Sequence, residues 1–298
     1  MARIRYDRLP TERPNPRSRA LDRLSPVAIA RLMNRADREA VKAVGGAAPA
    51  IGRAVTAIVA RLGRGGRLIF VGAGTSGRLG VIEAAECPPT FNTRPGQVQA
   101  LMAGGRRAVF RSVEGAEDDA RAGARAVRGR ADRRDAVVGI AASGVTPFVR
   151  AALAEARRRG AFTVLVTCNP SAPRAAARVI IALRVGPEVL AGSTRLKAGT
   201  ATKLTLNTLT TAAFTRLGKV HGNRMVDLQP KSAKLRARAR RLVRDLGHVS
   251  AARAGKLLDQ AGGSAKVAVV MARRRITAAE ARRRLRAAGG FLGPAAGM

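Results

Sequence analysis

The chain has 298 residues, 46% of them apolar, and 56 Lys and Arg against 19 Asp and Glu give it a net charge of +37. That size suits one large α/β domain, or one domain with a small appendage. No stretch approaches the ~18 apolar residues of a membrane span, and the only cysteines, Cys87 and Cys168, lie outside any CxxC pair, so no disulfide framework or cysteine zinc site is indicated.

Residues 1–24 form a polar, proline-containing lead-in without an apolar h-region, so no secretory signal is expected and a reducing cytoplasm is the expected location. Ser25-Pro26 is a helix start, with Ser as N-cap and Pro in the first turn, and predicts a helix to about Val44. Gly45-Gly46 break it, and Ile51, Val55, Ile58, Val59 and Leu62 mark one face of a second helix near 49–62. Five short apolar runs then read as strands buried on both faces: Leu68–Val71, Val98–Met102, Ala136–Ile140, Phe162–Val166 and Val179–Leu183. Helical stretches between several of them, such as 146–159, predict an α/β fold with a doubly wound parallel sheet. A Thr-rich helix is expected from Ser193 to about Leu217, a polar loop from His221 to Ser232, and helices near 233–246, 250–261, 265–273 and 277–287. The division is therefore 1–246 for the sheet domain with its N-terminal helices and 247–298 for a small helical C-terminal domain.

The chemistry gathers after the first strand. Gly72, Gly74 and Gly77 satisfy G-x-G-x-x-G, the dinucleotide pattern. Two long helices precede that strand, however, and Glu83 and Glu86 come too early to serve as a ribose acid. Gly74, Thr75, Ser76 and Gly77, at a helix start, suit a single phosphate instead. A second loop repeats the design after the third strand, where Ser143, Gly144 and Thr146 precede another helix. Two such loops at the C-terminal edge of a parallel sheet predict a shared anion site. Ser193 and Lys197 add a third hydroxyl-and-cation cluster at the start of the long helix. Among the scarce acids, Glu86 stands before Cys87-Pro88-Pro89, which is expected to end its helix. Glu117 lies in the acidic run Val113–Asp119, which reads either as a helix N-terminus favouring carboxylates or as part of acid–base chemistry. His221 and His248 are too isolated for a metal site, and both cysteines read as small buried side chains.

Arginine accounts for most of the positive charge and is scattered through nearly every segment, with no Trp and one Tyr for base stacking. The charge reads as compositional, and no specific nucleic-acid partner is expected, although a basic field draws anionic sugar phosphates.

The motifs LIFVGAGTSGRLGVIEAAECPPTF, VEGAEDD, VVGIAASGVTPFV, TCNP, GSTRLKAGTATKLTLNTLTT and GNRMVDLQP, in this order and spacing, resemble the N-acetylmuramic acid 6-phosphate etherases. The opening TERPNPRSRALDRLS, with Thr11, Glu12, Asn15 and Asp22, resembles that family as well. The resemblance implies a sugar isomerase (SIS) type domain, usually homodimeric, followed by a small helical domain. It implies cleavage of the D-lactyl ether of N-acetylmuramic acid 6-phosphate by β-elimination and hydration, without metal or nucleotide cofactor. It assigns Glu86 as acid toward the departing lactate and Glu117 as the other carboxylate, the base at C2. Gly74, Thr75, Ser76, Gly77, Ser143, Gly144, Thr146, Ser193 and Lys197 are its substrate-binding positions. Two positions depart from the family pattern: Val145 stands where arginine is expected, and Ser232 where asparagine is more frequent. The alternative on the same fold is a non-catalytic sugar-phosphate-binding regulator.

Overall fold

A computed structural model describes residues 9–173, 177–230 and 232–298. The first eight residues of the expected lead-in lie outside the described residues. Two compact units are present: residues 1–84 with 96–210, and residues 85–95 with 211–298. The second unit therefore takes in 211–246 and a short internal segment in addition to the expected 247–298.

In the first unit, α1 (Pro26–Gly46) starts as expected, with the Ser25 hydroxyl accepting from the Ala28 N–H at 3.3 Å. Gly45 and Gly46 sit in its last turn, and the chain bends at Ala47 by 57° into α2 (Ala48–Gly63). Among the described residues no single helix is long and apolar enough to cross a membrane. Five strands follow: β1 (Leu68–Gly72), β2 (Val98–Met102), β3 (Ala136–Ile140), β4 (Phe162–Thr167) and β5 (Val179–Ala182), with the short helix α4 (Arg107–Phe110) after β2 and the long helix α7 (Lys197–Arg216) after β5. They pair in parallel in the order β2-β1-β3-β4-β5.

Both faces of this sheet are covered, as the continuous apolar runs require. Ile69, Val71, Val137 and Leu165 pack with Val127 of α5 (Ala120–Arg128) and with Phe148, Val149 and Leu153 of α6 (Pro147–Arg158). Gly139 lets α6 approach closely, since a Cβ there would meet Leu153 Cδ1 at 2.7 Å. On the other face, α2 runs against β3, β4 and β5, while Gly80 of α3 (Gly74–Phe91) admits Phe70 Cβ at the 3.0 Å a side chain would occupy.

Pro88 and Pro89 do not end α3, contrary to expectation; the helix continues to Phe91. Proline removes a donor without preventing its own carbonyl from accepting, and Asn92 N–H bonds the Pro88 carbonyl at 3.0 Å. The stop comes at Asn92, which is left-handed with φ 52°.

In the second unit, α8 (Ala233–Gly247), α9 (Ala251–Gln260), α10 (Ala265–Arg274), α11 (Ala278–Ala287) and α12 (Leu292–Ala296) share one core built on Leu242, Val243, Leu257, Val270, Leu285 and Leu292. Because Ala239, Leu242 and Val243 of α8 belong to that core, 233–246 groups with the C-terminal helices. Ser232 caps α8 by accepting from the Leu235 N–H at 3.2 Å. The expected polar loop at 221–232 contains instead the ends of a two-stranded ribbon, β6 (Val220–His221) and β7 (Arg224–Met225). In the same unit Phe91 and Phe214 stack with ring centroids 4.9 Å apart.

Candidate functional site

The C-terminal ends of β1 and β3, neighbours in the sheet, open into two loops that each lead to a helix. At the first, Gly74 starts α3 with φ +53°. Gly72 and Gly77 allow strand and helix to touch: a Cβ on Gly72 would lie 2.7 Å from the Gly77 nitrogen, and one on Gly77 would lie 2.8 Å from the Gly72 oxygen. The glycine pattern is thus a packing requirement that brings the N–H groups of an eighteen-residue helix to the sheet edge.

The second loop is held from β4. Thr167 Oγ1 donates to the Ala142 carbonyl at 3.1 Å, and Asn169 Nδ2 donates to the Ser143 carbonyl at 2.9 Å. Asn169 Oδ1 in turn accepts from the Ser171 N–H at 3.0 Å. The TCNP motif is therefore the clamp of the ASGVT loop. Between them Gly144 takes φ +72°, and a Cβ there would meet Ala172 Cβ at 2.8 Å and Thr167 Oγ1 at 2.9 Å. Ser143 Oγ accepts from the Val145 N–H at 3.3 Å.

A cleft of about 330 Å³ lies where these loops meet. Gly74, Thr75 and Ser76 line it from the first loop, and Ser143, Val145 and Thr146 from the second. Glu117 and Asp118 reach it from the acidic turn. That turn is fixed by its backbone: Phe148 N–H, in the first turn of α6, donates to the Glu117 carbonyl at 3.0 Å. The expected helix N-terminus is present one step later, where Asp119 caps α5 by accepting from the Ala122 N–H at 2.7 Å. Glu117 itself is exposed, and its carboxylate has no hydrogen bond or ion pair among the described residues.

Six of the expected site residues thus meet in one cleft: Gly74, Thr75, Ser76, Glu117, Ser143 and Thr146. Gly77 and Gly144 lie behind the lining as the glycines that permit its shape. Ser193 is not in the lining, but its neighbours Gly192 and Thr194 are. Glu86 is exposed near the C-terminal end of α3, in the segment 85–95 that groups with the second unit.

Lys197 lies elsewhere. It is the first residue of α7 (Lys197–Arg216) and is 1% exposed. Its Nζ donates to Glu39 Oε2 at 2.6 Å and to the Val185 carbonyl at 2.8 Å. Burial alone would raise the Glu39 carboxyl, but the hydrogen bond and charge of Lys197, with Arg17 beyond, hold it below its ordinary value. Fully buried Glu188 caps the same helix, accepting from the N–H groups of Lys197 at 3.0 Å and Ala198 at 2.9 Å. Its carboxyl is pushed up by burial despite those two bonds. These groups brace the segment that carries Gly192 and Thr194 to the cleft.

Sequence reasoning did not assign Leu9, Thr11 and Glu12 of the lead-in to the site, yet all three line it. Their signal was the TER motif, read only as part of a family opening. Arginine is abundant in the chain, but the charged side chains of the lining are Glu12, Glu117 and Asp118, and none is basic. An anion here meets helix N–H groups and hydroxyls, while carboxylates face whatever donors the rest of the ligand carries.

Among the described residues no three His, Cys, Asp or Glu side chains gather to hold a metal ion. Both cysteines are buried, and burial with the nearby Glu188 charge pushes the Cys168 thiol up to about 12.

Residues 50–157 match the family of the glucokinase regulatory protein N-terminal SIS domain. Over 95% of this chain and 94% of the relative, the sequence is 52% identical to the N-acetylmuramic acid 6-phosphate etherase of Gloeobacter violaceus. The protein of the same name from Jannaschia sp. is 52% identical over 88% of this chain and 83% of its own. That of Geobacillus thermodenitrificans is 46% identical over 96% of this chain and 98% of its own.

Proposed function

This chain belongs to the N-acetylmuramic acid 6-phosphate etherase family, and on that premise we propose how its cleft works as a lyase of amino-sugar recycling. The observation that carries the proposal is the cleft itself: two hydroxyl-bearing loops at the sheet edge and an unpaired carboxylate, Glu117, in one cavity. The phosphate of N-acetylmuramic acid 6-phosphate binds the N–H groups at the start of α3 and the hydroxyls of Thr75, Ser76, Ser143 and Thr146. Gly74, Gly77 and Gly144 shape those loops.

In the open-chain form the C1 aldehyde acidifies the C2 proton. Glu117 removes that proton, the C2–C3 double bond forms, and the C3–O bond breaks. Glu86 gives a proton to the departing lactate oxygen, the role that the family pattern assigns to it. Water then adds across the double bond, oxygen to C3 and hydrogen to C2. The balance is one water consumed and one N-acetylglucosamine 6-phosphate and one D-lactate formed. Ser193 and Lys197 belong to this reading as the segment that completes the cleft: Lys197 acts through its buried pair with Glu39, which holds the residues that precede it. A homodimer is part of the proposal, and light scattering tests it.

The deciding experiment is incubation with N-acetylmuramic acid 6-phosphate and an assay for D-lactate. Stoichiometric release of D-lactate supports the reading. Tight binding of the sugar phosphate with no lactate, while a relative turns over in the same assay, replaces the enzyme with a sugar-phosphate-binding regulator.

A further inference from the structure

A lead-in rich in proline and charge has no reason to bury apolar or hydroxyl side chains unless something docks it. Here Leu9 is 7% exposed and Thr11 1% exposed. The segment is fixed at two points on the loop before α7. The Gly192 N–H donates to the Thr11 carbonyl at 3.0 Å, and Asn15 Nδ2 donates to the Pro187 carbonyl at 3.1 Å. A turn closed by the Glu12 N–H to the Leu9 carbonyl, at 3.1 Å, then presents Glu12 to the cleft. Thr11 Oγ1 donates to Glu12 Oε1 at 3.1 Å, which orients the carboxylate. Gly192 leaves room for it: with φ +79°, a Cβ at that glycine would come within 3.1 Å of Glu12 Oε2.

We propose that Glu12 is a substrate-binding residue, selecting the neutral, hydrogen-donating part of the sugar. The inference rests on the sugar-phosphate reading of the same cleft. A carboxylate in a lining without Lys or Arg cannot hold the phosphate or the lactyl carboxylate, since like charges in a partly enclosed site repel. It can accept hydrogen bonds from sugar hydroxyls and from the acetamido N–H, and charge-assisted bonds of this kind are the strong ones. Glu12 comes from neither phosphate loop, so it reads a different portion of the ligand from the N–H groups of α3. The lead-in is thus a specificity element, supplying an acceptor that neither phosphate loop offers.

The test compares Glu12→Ala, Glu12→Gln and Glu12→Asp with the wild type in two measurements. Calorimetry reads N-acetylglucosamine 6-phosphate against inorganic phosphate. Glu12→Ala is expected to weaken the sugar phosphate about tenfold or more and to leave inorganic phosphate within about twofold. Glu12→Asp is expected to recover part of the loss and Glu12→Gln less. In turnover the same loss appears as a raised KM with kcat nearly unchanged. Equal weakening of both ligands would mean that the residue only supports the fold of the cleft, and unchanged affinities would mean that it touches nothing; either result overturns the proposal. A large fall in kcat at constant KM also overturns it, because Glu12 would then act in the chemistry. If the wild type releases no D-lactate, the enzymatic reading fails while the calorimetric comparison still decides the role of Glu12.

Discussion

The backbone N–H of Phe148 donates to the carbonyl oxygen of Glu117 at 3.0 Å, joining the acidic turn to the first turn of α6. The bond uses the main chain and leaves the Glu117 carboxylate free in the cleft. Position and reactivity are thereby separated: α6 holds the residue, and the side chain stays unencumbered.

Glu117→Gln should therefore abolish chemistry without loosening the fold. D-lactate release is expected to fall 10²- to 10⁴-fold, the usual range for loss of a positioned acid or base. Thermal stability should stay within about 0.5 kcal/mol of wild type, as for an exposed side chain. Glu86→Gln should show the same loss of rate. Normal turnover in either variant removes that residue from the mechanism.

Val145→Arg should tighten anion binding. Val145 lines the cleft at a position where the family pattern expects arginine, and no other lining side chain is basic. A guanidinium placed there adds a charge-assisted bond to the phosphate, and KM is expected to drop about tenfold. An unchanged KM would show that the helix N–H groups and hydroxyls already saturate the phosphate.

Gly144→Ala tests the clamp on the second loop. The φ of +72° and the contacts with Ala172 and Thr167 leave no place for a methyl group. The substitution should cost about 1–3 kcal/mol in unfolding free energy and raise KM by displacing Ser143. A variant as stable as wild type would mean that the loop relaxes freely.

Glu39→Gln reports the buried Lys197 pair through its pH dependence. The Glu39 carboxyl lies below its ordinary value in the folded protein. Its contribution is therefore complete above about pH 4.3, the unfolded value, and is lost as pH falls through the lowered folded value. Glu39 is partly exposed, so the loss at pH 7 is expected at about 1–2 kcal/mol after screening. Melting curves of wild type and variant should converge as the pH is lowered from 5 to 3; a constant difference across that range would refute the ion-pair assignment.

The central strands β1, β3 and β4 were legible as short apolar runs buried on both faces; the edge strands β2 and β5 were legible as apolar runs too, although β2 is mostly half-buried and β5 alternates between buried and half-buried residues. α5 was legible only at its start, through the acidic run that caps it; its sequence ARAGARAVR packs on the core with small side chains, Ala122, Ala126 and Val127, interspersed with arginines, a stripe too slight to mark the helix. The two loops that line the cleft were legible from glycine and hydroxyl residues after strands. Glu12 was not, because the Thr11–Gly192 bond that brings the lead-in to the cleft joins distant parts of the chain. Lys197 was read as a ligand for anions on its type and place; its actual partners, Glu39 and the Val185 carbonyl, are likewise remote in sequence.

On the proposed function, the contrast between a +37 chain and a cleft whose charged lining groups are all carboxylates divides substrate capture from substrate retention. Long-range attraction speeds the arrival of a dianion and fades when salt shortens the Debye length to about 8 Å. Retention depends on short N–H and hydroxyl contacts, which salt screens far less. Encounter is thus left to the whole surface and residence time to the sheet edge, so changes in surface arginine content alter how fast ligand arrives without altering how long it stays.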